Sequence, residues 1–268
     1  MAARSIRLLL VFVVSGFVVG SPAFANAAQV RSTHAAPVDQ VGVYRPDMAL
    51  FRLMDRHGLT SYWTNIHYGI PGDQPLIGDW NGDGLDTIGV KRGNTYRLRN
   101  SNTGGRADIV FSYGRASDVP VVADWNGDGV DTIAVRRGSV WFVRNSLTGG
   151  PADTRFSYGR PTDLPIAGDW NGEGADRPGV FRHDNTSWFV ATGASPIAVA
   201  GYRPGDQAFV GDWNGDGKTT FGIRRGDLGH LRNAMSPTAP VVTVLLDGSP
   251  AINVPIVGHW LRSAAGAA

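Results

Sequence analysis

The stretch Asp79-Trp-Asn-Gly-Asp-Gly84 occurs in four copies and decides the fold of this chain. The other copies begin at Asp124, Asp169 and Asp212, so the starts lie 45, 45 and 43 residues apart, and the third copy has Glu173 at its fifth place. A fixed period of this length is typical of proteins built from repeated structural units. The sequence therefore predicts one acidic loop in each of four similar units.

The composition of the loops predicts a site for a hard cation. Oxygen-bearing side chains stand at places 1, 3 and 5, and the glycine at place 6 allows a sharp turn. The main-chain oxygen at place 7 can add a ligand, and the side chain at place 8 or 9 would close the shell. The predicted calcium ligands are Asp79, Asn81, Asp83, Leu85 and Asp86; Asp124, Asn126, Asp128, Val130 and Asp131; Asp169, Asn171, Glu173, Ala175 and Asp176; and Asp212, Asn214, Asp216 and Lys218.

The four loops are not equivalent. The third has Arg177 at place 9, and the fourth has Lys218, Thr219 and Thr220 where the other copies offer a carboxylate. We expect up to four Ca²⁺ ions, with the fourth site the weakest. The alternative is that the loops are Asx turns, in which Asp and Asn side chains bond only to nearby main chain.

Each loop lies between apolar strands. In the first unit these are Pro75 to Gly78 and Thr87 to Arg92, and two further strand-like stretches follow at Tyr96 to Asn100 and Ala107 to Tyr113. Four short strands in about 45 residues form the unit of a β-propeller blade. The 36 Gly and 16 Pro also favour short strands and tight turns over long helices.

The two ends of the repeat region are complementary. Val41 to Arg45 matches the strand that follows a loop, and Val254 to Trp260 matches the strand that precedes one. Pairing them would complete a fifth blade and remove the free sheet edges. We therefore predict an all-β, five-bladed β-propeller of four-stranded blades over residues 41–260, closed by its N- and C-terminal strands. An open row of β-repeats is the alternative.

The N-terminus predicts export. Arg4 and Arg7 precede an apolar run from Leu8 to Val19 and a stretch of small residues, which is the pattern of a signal peptide. We assign residues 1–27 to that peptide, 28–40 to a flexible lead and 261–268 to a tail. No later stretch approaches 18 apolar residues, so we expect no membrane insertion. The absence of cysteine suits a secreted domain that metal loops brace in place of disulfides.

Charge and motifs argue against two classes of function. Removal of Arg4 and Arg7 leaves 23 basic against 23 acidic side chains, which gives no basis for nucleic-acid binding. The six His show no zinc spacing, and the sequence contains no nucleophile elbow or Ser-His-Asp grouping. We expect no enzyme.

Two repeated features are candidates for ligand binding. Tyr96, Trp141 and Trp188 begin the third strand of their units and alternate with Arg, so we expect them to be partly exposed. Arg99 and Arg144 stand at the turn that follows, where they either pair with a carboxylate of a neighbouring blade or form part of a polar site repeated around the ring.

Five Trp recur directly after the first residue of the loop. We expect them mainly to wedge between blades, and a sugar-stacking ring is the alternative. They are Trp80, Trp125, Trp170, Trp213 and Trp260.

The loops resemble the FG-GAP or VCBS-type repeats, whose Asp-x-Asn-Gly-Asp-Gly loops join the first two strands of propeller blades, as in integrin α-subunit heads and some fungal lectins. The resemblance covers roughly residues 41–260 and departs at place 9, where the family has Asp and this chain has Thr87, Thr132, Arg177 and Thr220. It implies an exported or extracellular calcium-binding module.

These observations favour a secreted, non-enzymatic protein that binds a glycan or cell-surface polymer through shallow repeated sites, since several weak sites gain avidity together. A lectin-like module is thus the first hypothesis. The second is a protein-binding adhesion module with an extracellular or cell-surface protein as partner. The third is a propeller-fold hydrolase, which would need two carboxylates near the central channel.

Overall fold

A computed structural model describes residues 38–57, 60–192, 197–198, 203, 205–246 and 253–260. Over these residues the chain forms 20 β-strands and one short 3₁₀-helix, His183–Asn185. The strands make up five four-stranded antiparallel sheets, which confirms the prediction of an all-β fold. No helix in this part of the chain is both long enough and apolar enough to cross a bilayer.

Each sheet is one blade, and its four strands follow one another from the centre of the ring outward. Blade 1 contains β20 (Val254–Gly258), β1 (Gln40–Arg45), β2 (Leu50–His57) and β3 (Thr60–His67). Blade 2 contains β4 (Gln74–Gly78), β5 (Thr87–Arg92), β6 (Thr95–Leu98) and β7 (Ile109–Ser112). Blade 3 contains β8 (Val119–Ala123), β9 (Thr132–Arg137), β10 (Val140–Arg144) and β11 (Thr154–Ser157). Blade 4 contains β12 (Leu164–Gly168), β13 (Arg177–Arg182), β14 (Ser187–Val190) and β15 (Ile197–Ala198). Blade 5 contains β16 (Gln207–Gly211), β17 (Thr220–Arg225), β18 (Leu228–Arg232) and β19 (Val241–Leu245).

The ring is closed by its terminal strands. Strand β20 pairs antiparallel with β1, with Val257 opposite Val41 and Ile256 opposite Gly42. The innermost strands contact one another in succession, from β4 through β8, β12, β16 and β20 back to β4. The five-blade count and the composite blade are therefore confirmed. Strand β1 begins at Gln40, one residue before the predicted boundary, while the predicted signal peptide and tail lie outside the described residues.

The position of a strand within its blade decides its burial. The inner strands are covered on both sides, so Leu76 and Ile77, adjacent residues of β4, are both fully buried. Strands covered on both faces read as continuous apolar runs. One face of the outermost strand β7 is exposed to solvent, so Phe111 is buried while its neighbour Val110 is exposed.

The antiparallel order gives the ring two distinct faces. The segments that join the first and second strands, such as residues 79–86 in blade 2, open on one side, which we call the loop face. The segments that join one blade to the next, such as residues 68–73 and 113–118, begin on the opposite side, which we call the connector face.

Candidate functional site

The first aspartate of each loop folds the loop around its own carboxylate. Asp79 Oδ1 accepts hydrogen bonds from the main-chain N–H groups of Gly82 (2.7 Å) and Asp83 (3.1 Å), and Oδ2 accepts one from Gly84 (2.8 Å). Gly82 and Gly84 adopt φ of 74° and 85°, a conformation that favours glycine. The same three bonds form around Asp124, Asp169 and Asp212.

The side chains at places 3 and 5 lie beside this carboxylate. The N–H of Asp83 is shared between Asp79 Oδ1 and Asn81 Oδ1 (3.4 Å), so these two oxygens flank one N–H group. In the second copy, Asn126 Nδ2 lies 2.9 Å from Asp128 Oδ2. Each loop thus collects three oxygen-bearing side chains, and a carboxylate that accepts N–H groups keeps further lone pairs for a cation.

This donor set fits calcium in part. Among the described residues, no three His, Asp or Glu side chains form a group that could hold a metal ion. Calcium also accepts amide, main-chain and water oxygens, so places 1, 3 and 5 could supply three ligands on an exposed loop and water would supply others. The Asx-turn alternative describes the hydrogen bonds inside the loop, and both readings use the same oxygens.

The aspartate at place 8 bonds to the neighbouring blade. Asp131 Oδ2 of blade 3 accepts a hydrogen bond from the N–H of Asp79 in blade 2 (2.9 Å), and the N–H of Asp131 donates to Asp79 O (2.8 Å). The same pair of bonds links Asp176 to Asp124, Asp86 to His259, and Asp39 to Asp212. The sequence did not predict this inter-blade contact, and a role of Asp86, Asp131 and Asp176 as calcium ligands stays a prediction.

The fifth interface on the loop face lacks the carboxylate. Thr219 stands at place 8 in blade 5, and its N–H still donates to Asp169 O (2.9 Å). Among the described residues, its buried hydroxyl oxygen has no hydrogen-bond partner. In this blade the main-chain hydrogen bond of the contact is therefore present, and a carboxylate acceptor is absent.

The third loop already holds positive charge. Arg177 forms an ion pair with Glu173 at 2.7 Å, and the hydrogen bond from Arg177, followed by one from Asn171, lowers the pKa of Glu173. The Lys218 side chain packs beside Gly172, within 3.5 Å of the position that a Cβ would take there. The charge at place 5 is thus balanced by a side chain in this copy.

The aromatic candidates for ligand binding are Tyr96, Trp141 and Trp188. All three have no exposed surface, so the expectation that they are partly exposed is wrong. Tyr96 stacks on Phe111 (5.0 Å between centroids), and Trp188 stacks on Phe221 of the next blade (4.4 Å). Both faces of a middle strand are covered in a propeller, which leaves these rings in the core.

The arginine candidates organise their own turns. Arg99 Nη1 donates to Asp108 Oδ2 (2.8 Å) and to Arg106 O (2.6 Å), and Arg144 Nη1 donates to Asp153 Oδ1 (2.8 Å). The carboxylates belong to the same blade, so the expected pairing with a neighbouring blade is wrong. Arg99 and Arg144 hold the turn between the third and fourth strands in a fixed shape.

The repeated tryptophans are mainly core, as expected. Trp80 lies over Gly78, where an added Cβ would stand 2.2 Å from the ring, and Trp170, Trp213 and Trp260 lie over Gly168, Gly211 and Gly258 in the same way. Blade 3 has Ala123 in place of this glycine. Its methyl group occupies that space, and Trp125 is only partly buried, edge-on to Trp141 at 6.0 Å.

The connector face carries ion pairs that the sequence analysis missed. Arg92 pairs with Asp73 at 2.7 Å, and the same pair recurs as Arg137–Asp118, Arg182–Asp163 and Arg225–Asp206. Burial alone would raise the pKa of Asp118, but hydrogen bonds from Arg137 and from the N–H of Arg115 outweigh it and lower the pKa. In each pair the Arg follows the Asp by 19 residues, and this constant spacing could have indicated the ion pairs from the sequence.

Buried cations lie next to these pairs and cross to the following blade. Lys91 Nζ donates to Ala116 O (2.9 Å), Arg136 Nη1 donates to Asp163 O (2.6 Å), and Arg224 Nη1 donates to Asn253 O (2.6 Å). Burial lowers the pKa of Lys91 to about 8 and that of Arg136 to about 10.

A polar cavity of about 410 Å³ opens between blades 1 and 2. We call it the blade 1–2 groove. Its lining includes Tyr68 from the connector between the blades, Arg92 and Arg97 from the middle strands of blade 2, and Arg106 from the turn that Arg99 organises. Burial raises the pKa of Tyr68, whose hydroxyl oxygen is buried and has no hydrogen-bond partner among the described residues.

Comparison with known proteins finds no match: no family model fits the sequence, and no curated protein or solved structure is similar to the chain.

Proposed function

We propose that this protein is a secreted, non-enzymatic binding module whose ring is stabilised by calcium and which binds a glycan or cell-surface polymer. The observation that carries the proposal is the blade 1–2 groove. Its volume of about 410 Å³ falls in the range of sites that hold small molecules or single units of a polymer.

The lining of the groove favours binding over catalysis. Arg97 and Arg106 supply N–H donors, which suits the oxygen-rich surface of a sugar, and the largely buried Tyr68 forms part of the wall. The described lining contains no carboxylate or imidazole, whereas glycoside hydrolysis needs two carboxylates on either side of the scissile bond.

The proposal also assigns the acidic loops to calcium, in the manner of the FG-GAP or VCBS-type repeats that they resemble. In the first loop the side-chain oxygens at places 1 and 3 flank one N–H group, and two like charges at Asp79 and Asp83 favour a bound cation. Loops three and four, with Arg177 and Lys218 nearby, are the weaker sites of the four.

Thermal unfolding with and without calcium tests the metal assignment. An excess of EGTA should lower the melting temperature, and calcium added back should restore it, because a ligand at 100 times its Kd stabilises the native state by about 2.7 kcal/mol. Magnesium is the control cation and should restore less. Identical melting curves in EGTA and in calcium would refute the role of the metal.

A glycan array tests the binding function. The labelled protein, in calcium, should retain a defined class of saccharide, and the same protein unfolded by heat is the control. Binding to none of the saccharides, together with capture of a single surface protein in a pull-down, would favour the second hypothesis.

One feature supports the second hypothesis, a protein-binding adhesion module. The outer strand β19 exposes Val241, Val242 and Leu245, with 45%, 46% and 68% of their surfaces accessible. An edge strand with exposed apolar side chains can pair with an extended segment of another protein.

A further inference from the structure

The blade 1–2 groove differs in charge from the equivalent positions of the next two blades. The third strand has Arg97 in blade 2 where blades 3 and 4 have Phe142 and Phe189. In those blades the ring receives the arginine that ends the second strand: Arg137 lies 4.9 Å from the centroid of Phe142, and Arg182 lies 4.1 Å from that of Phe189. Blade 2 thus replaces a cation–π contact with a second cation.

A second departure adds to the first. The turn before the fourth strand has Arg106 in blade 2 and Pro151 in blade 3, although Arg99 and Arg144 organise the two turns in the same way. In blade 3, Arg155 on the fourth strand lies 5.3 Å from the centroid of Phe142. The equivalent residue of blade 2 is Val110. Compared with blade 3, blade 2 thus lacks the arginine of the fourth strand and has Arg97 and Arg106 at the groove.

Within the part of the chain that the structure describes, two of the three arginines that line the groove have no carboxylate partner. Arg92 is paired with Asp73. Within the described residues the side chains of Arg97 and Arg106 make no ion pair or hydrogen bond, and the cross-strand neighbours of Arg97 are Val90 and Val110. Like charges gathered around one cavity repel each other and cost stability unless an anion joins them.

We infer that the blade 1–2 groove binds an acidic sugar, a saccharide unit that carries a carboxylate, sulfate or phosphate group. The guanidinium groups of Arg97 and Arg106 would hold the anionic group through paired N–H donors, the geometry in which arginine binds oxyanions. The rest of the sugar would fill the remaining space, since a cavity of about 410 Å³ is larger than an inorganic anion. The inference rests on the proposed glycan-binding function and names the class of glycan.

The turn that carries Arg106 is organised in advance. Arg99 bonds to Asp108, to Thr103 and to the main-chain oxygen of Arg106 itself, at 2.8, 2.8 and 2.6 Å. A site held in place by such contacts loses little conformational entropy when the ligand binds. This gives Arg99 a positioning role behind the groove.

The test compares charge at the groove with charge elsewhere. The R97F/R106P variant gives blade 2 the side chains of blade 3, and the R155A/R160A variant removes two exposed arginines that do not line the groove. Isothermal titration calorimetry at about 150 mM salt, where distant charges are screened, measures binding of oligogalacturonate (carboxylate), dextran sulfate (sulfate), a phosphorylated mannan (phosphate) and neutral dextran.

We expect the wild type to bind at least one acidic glycan and not neutral dextran. R97F/R106P should lose about tenfold or more in affinity, since one charge-assisted pair is worth about that factor, and R155A/R160A should lose less than about threefold. The acidic glycan that binds identifies the anionic group.

Three results would overturn the inference. Equal losses in both double variants would show attraction to the whole basic surface, and unchanged binding by R97F/R106P would leave the glycan-binding function standing without this site. Binding to none of these glycans would overturn the inference, and the glycan array would then decide whether the glycan-binding function stands. The variant R97Q/R106Q, which keeps polar side chains, replaces R97F/R106P if thermal unfolding shows that the latter does not fold.

Discussion

The two faces of the ring join neighbouring blades with side chains of opposite charge. On the loop face, the carboxylate of Asp131 accepts a hydrogen bond from a main-chain N–H of the preceding blade. On the connector face, the guanidinium of Arg136 donates to the main-chain oxygens of Asp163 and Arg160, in the segment that leads to the following blade. A carboxylate only accepts and a guanidinium only donates, so each face satisfies one kind of main-chain group.

The faces differ in how much variation they contain. Four of the five loop-face interfaces use an aspartate, and the fifth has Thr219. The connector face has a cation in three blades, while Tyr44 and Phe181 fill the same place in the other two and are fully buried. The comparison indicates that aspartate is replaced once on the loop face, where the main-chain hydrogen bond remains, whereas at the connector-face position a packed ring replaces the cation twice.

The largest loss of stability is expected when a loop-face contact and a connector-face contact are broken together. Deleting residues 252–268 removes strand β20, the partner of β1, together with His259, which bonds to Asp86, and Asn253, which bonds to Arg224. We expect loss of cooperative unfolding, because two sheet edges and their apolar faces become exposed. Circular dichroism with thermal unfolding measures it, and deletion of residues 261–268 alone is the control. A truncated protein that melts like the full-length chain would contradict closure of the ring.

Removal of a single loop-face hydrogen bond should cause the next largest loss of stability. The Asp131→Ala variant leaves the N–H of Asp79 buried without its acceptor, and we expect a loss of about 1–3 kcal/mol in the free energy of unfolding. Urea unfolding in excess EGTA measures this without any contribution from calcium.

The fifth interface supplies the matched control for that variant. Thr219→Asp should introduce the missing acceptor for the N–H of Asp169 and leave stability unchanged or raised, whereas Asp131→Thr should destabilise as Asp131→Ala does. Equal stability of wild type and Asp131→Ala would show that the loop-face bond contributes nothing measurable.

Sequence reasoning could reach the blade count, because the end strands are complementary halves of one repeat. It could not place the carboxylates of Asp86, Asp131 and Asp176, since spacing along one loop does not show which blade a side chain faces. Asp39 could have indicated the inter-blade role of place 8. It stands at that place in the composite blade, which contains no acidic loop, and it accepts a hydrogen bond from Asp212 in the neighbouring blade.

The aromatic candidates show a second limit. Alternation of Tyr96 with Arg97 normally separates a buried face from an exposed one. In a propeller both faces of a middle strand meet other blades, so Tyr96 is fully buried and Arg97 half-buried in a groove. The period of two therefore predicts strands in this fold without predicting exposure.

A pH titration tests the connector face. Burial lowers the pKa of Lys91 in the folded state to about 8, from the ordinary value of 10.5, so the unfolded chain binds more protons between these values and stability rises with pH there. We expect Lys91→Met to remove this rise, which is of the order of 1 kcal/mol between about pH 8 and 9.5. Urea unfolding of both proteins over that range measures the difference. Parallel pH profiles for the variant and the wild type would show that Lys91 is not the titrating group.

The smallest effect concerns the charge that the third loop already holds. In Arg177→Thr the third loop takes the residue that the first has at place 9, Thr87, and Glu173 loses its ion pair. We expect calcium to bind the third loop about two- to fivefold more tightly, since the cation no longer meets a guanidinium beside the carboxylate. Terbium luminescence excited through tryptophan reports all four loops together, because each has a Trp at place 2, so the difference between Arg177→Thr and the wild type isolates the third loop. Arg160→Thr, on the connector face, is the control and should not change it. Equal terbium affinity in Arg177→Thr and Arg160→Thr would mean that Arg177 does not compete with the metal. Hydrogen bonds alone would then hold the third loop in its turn.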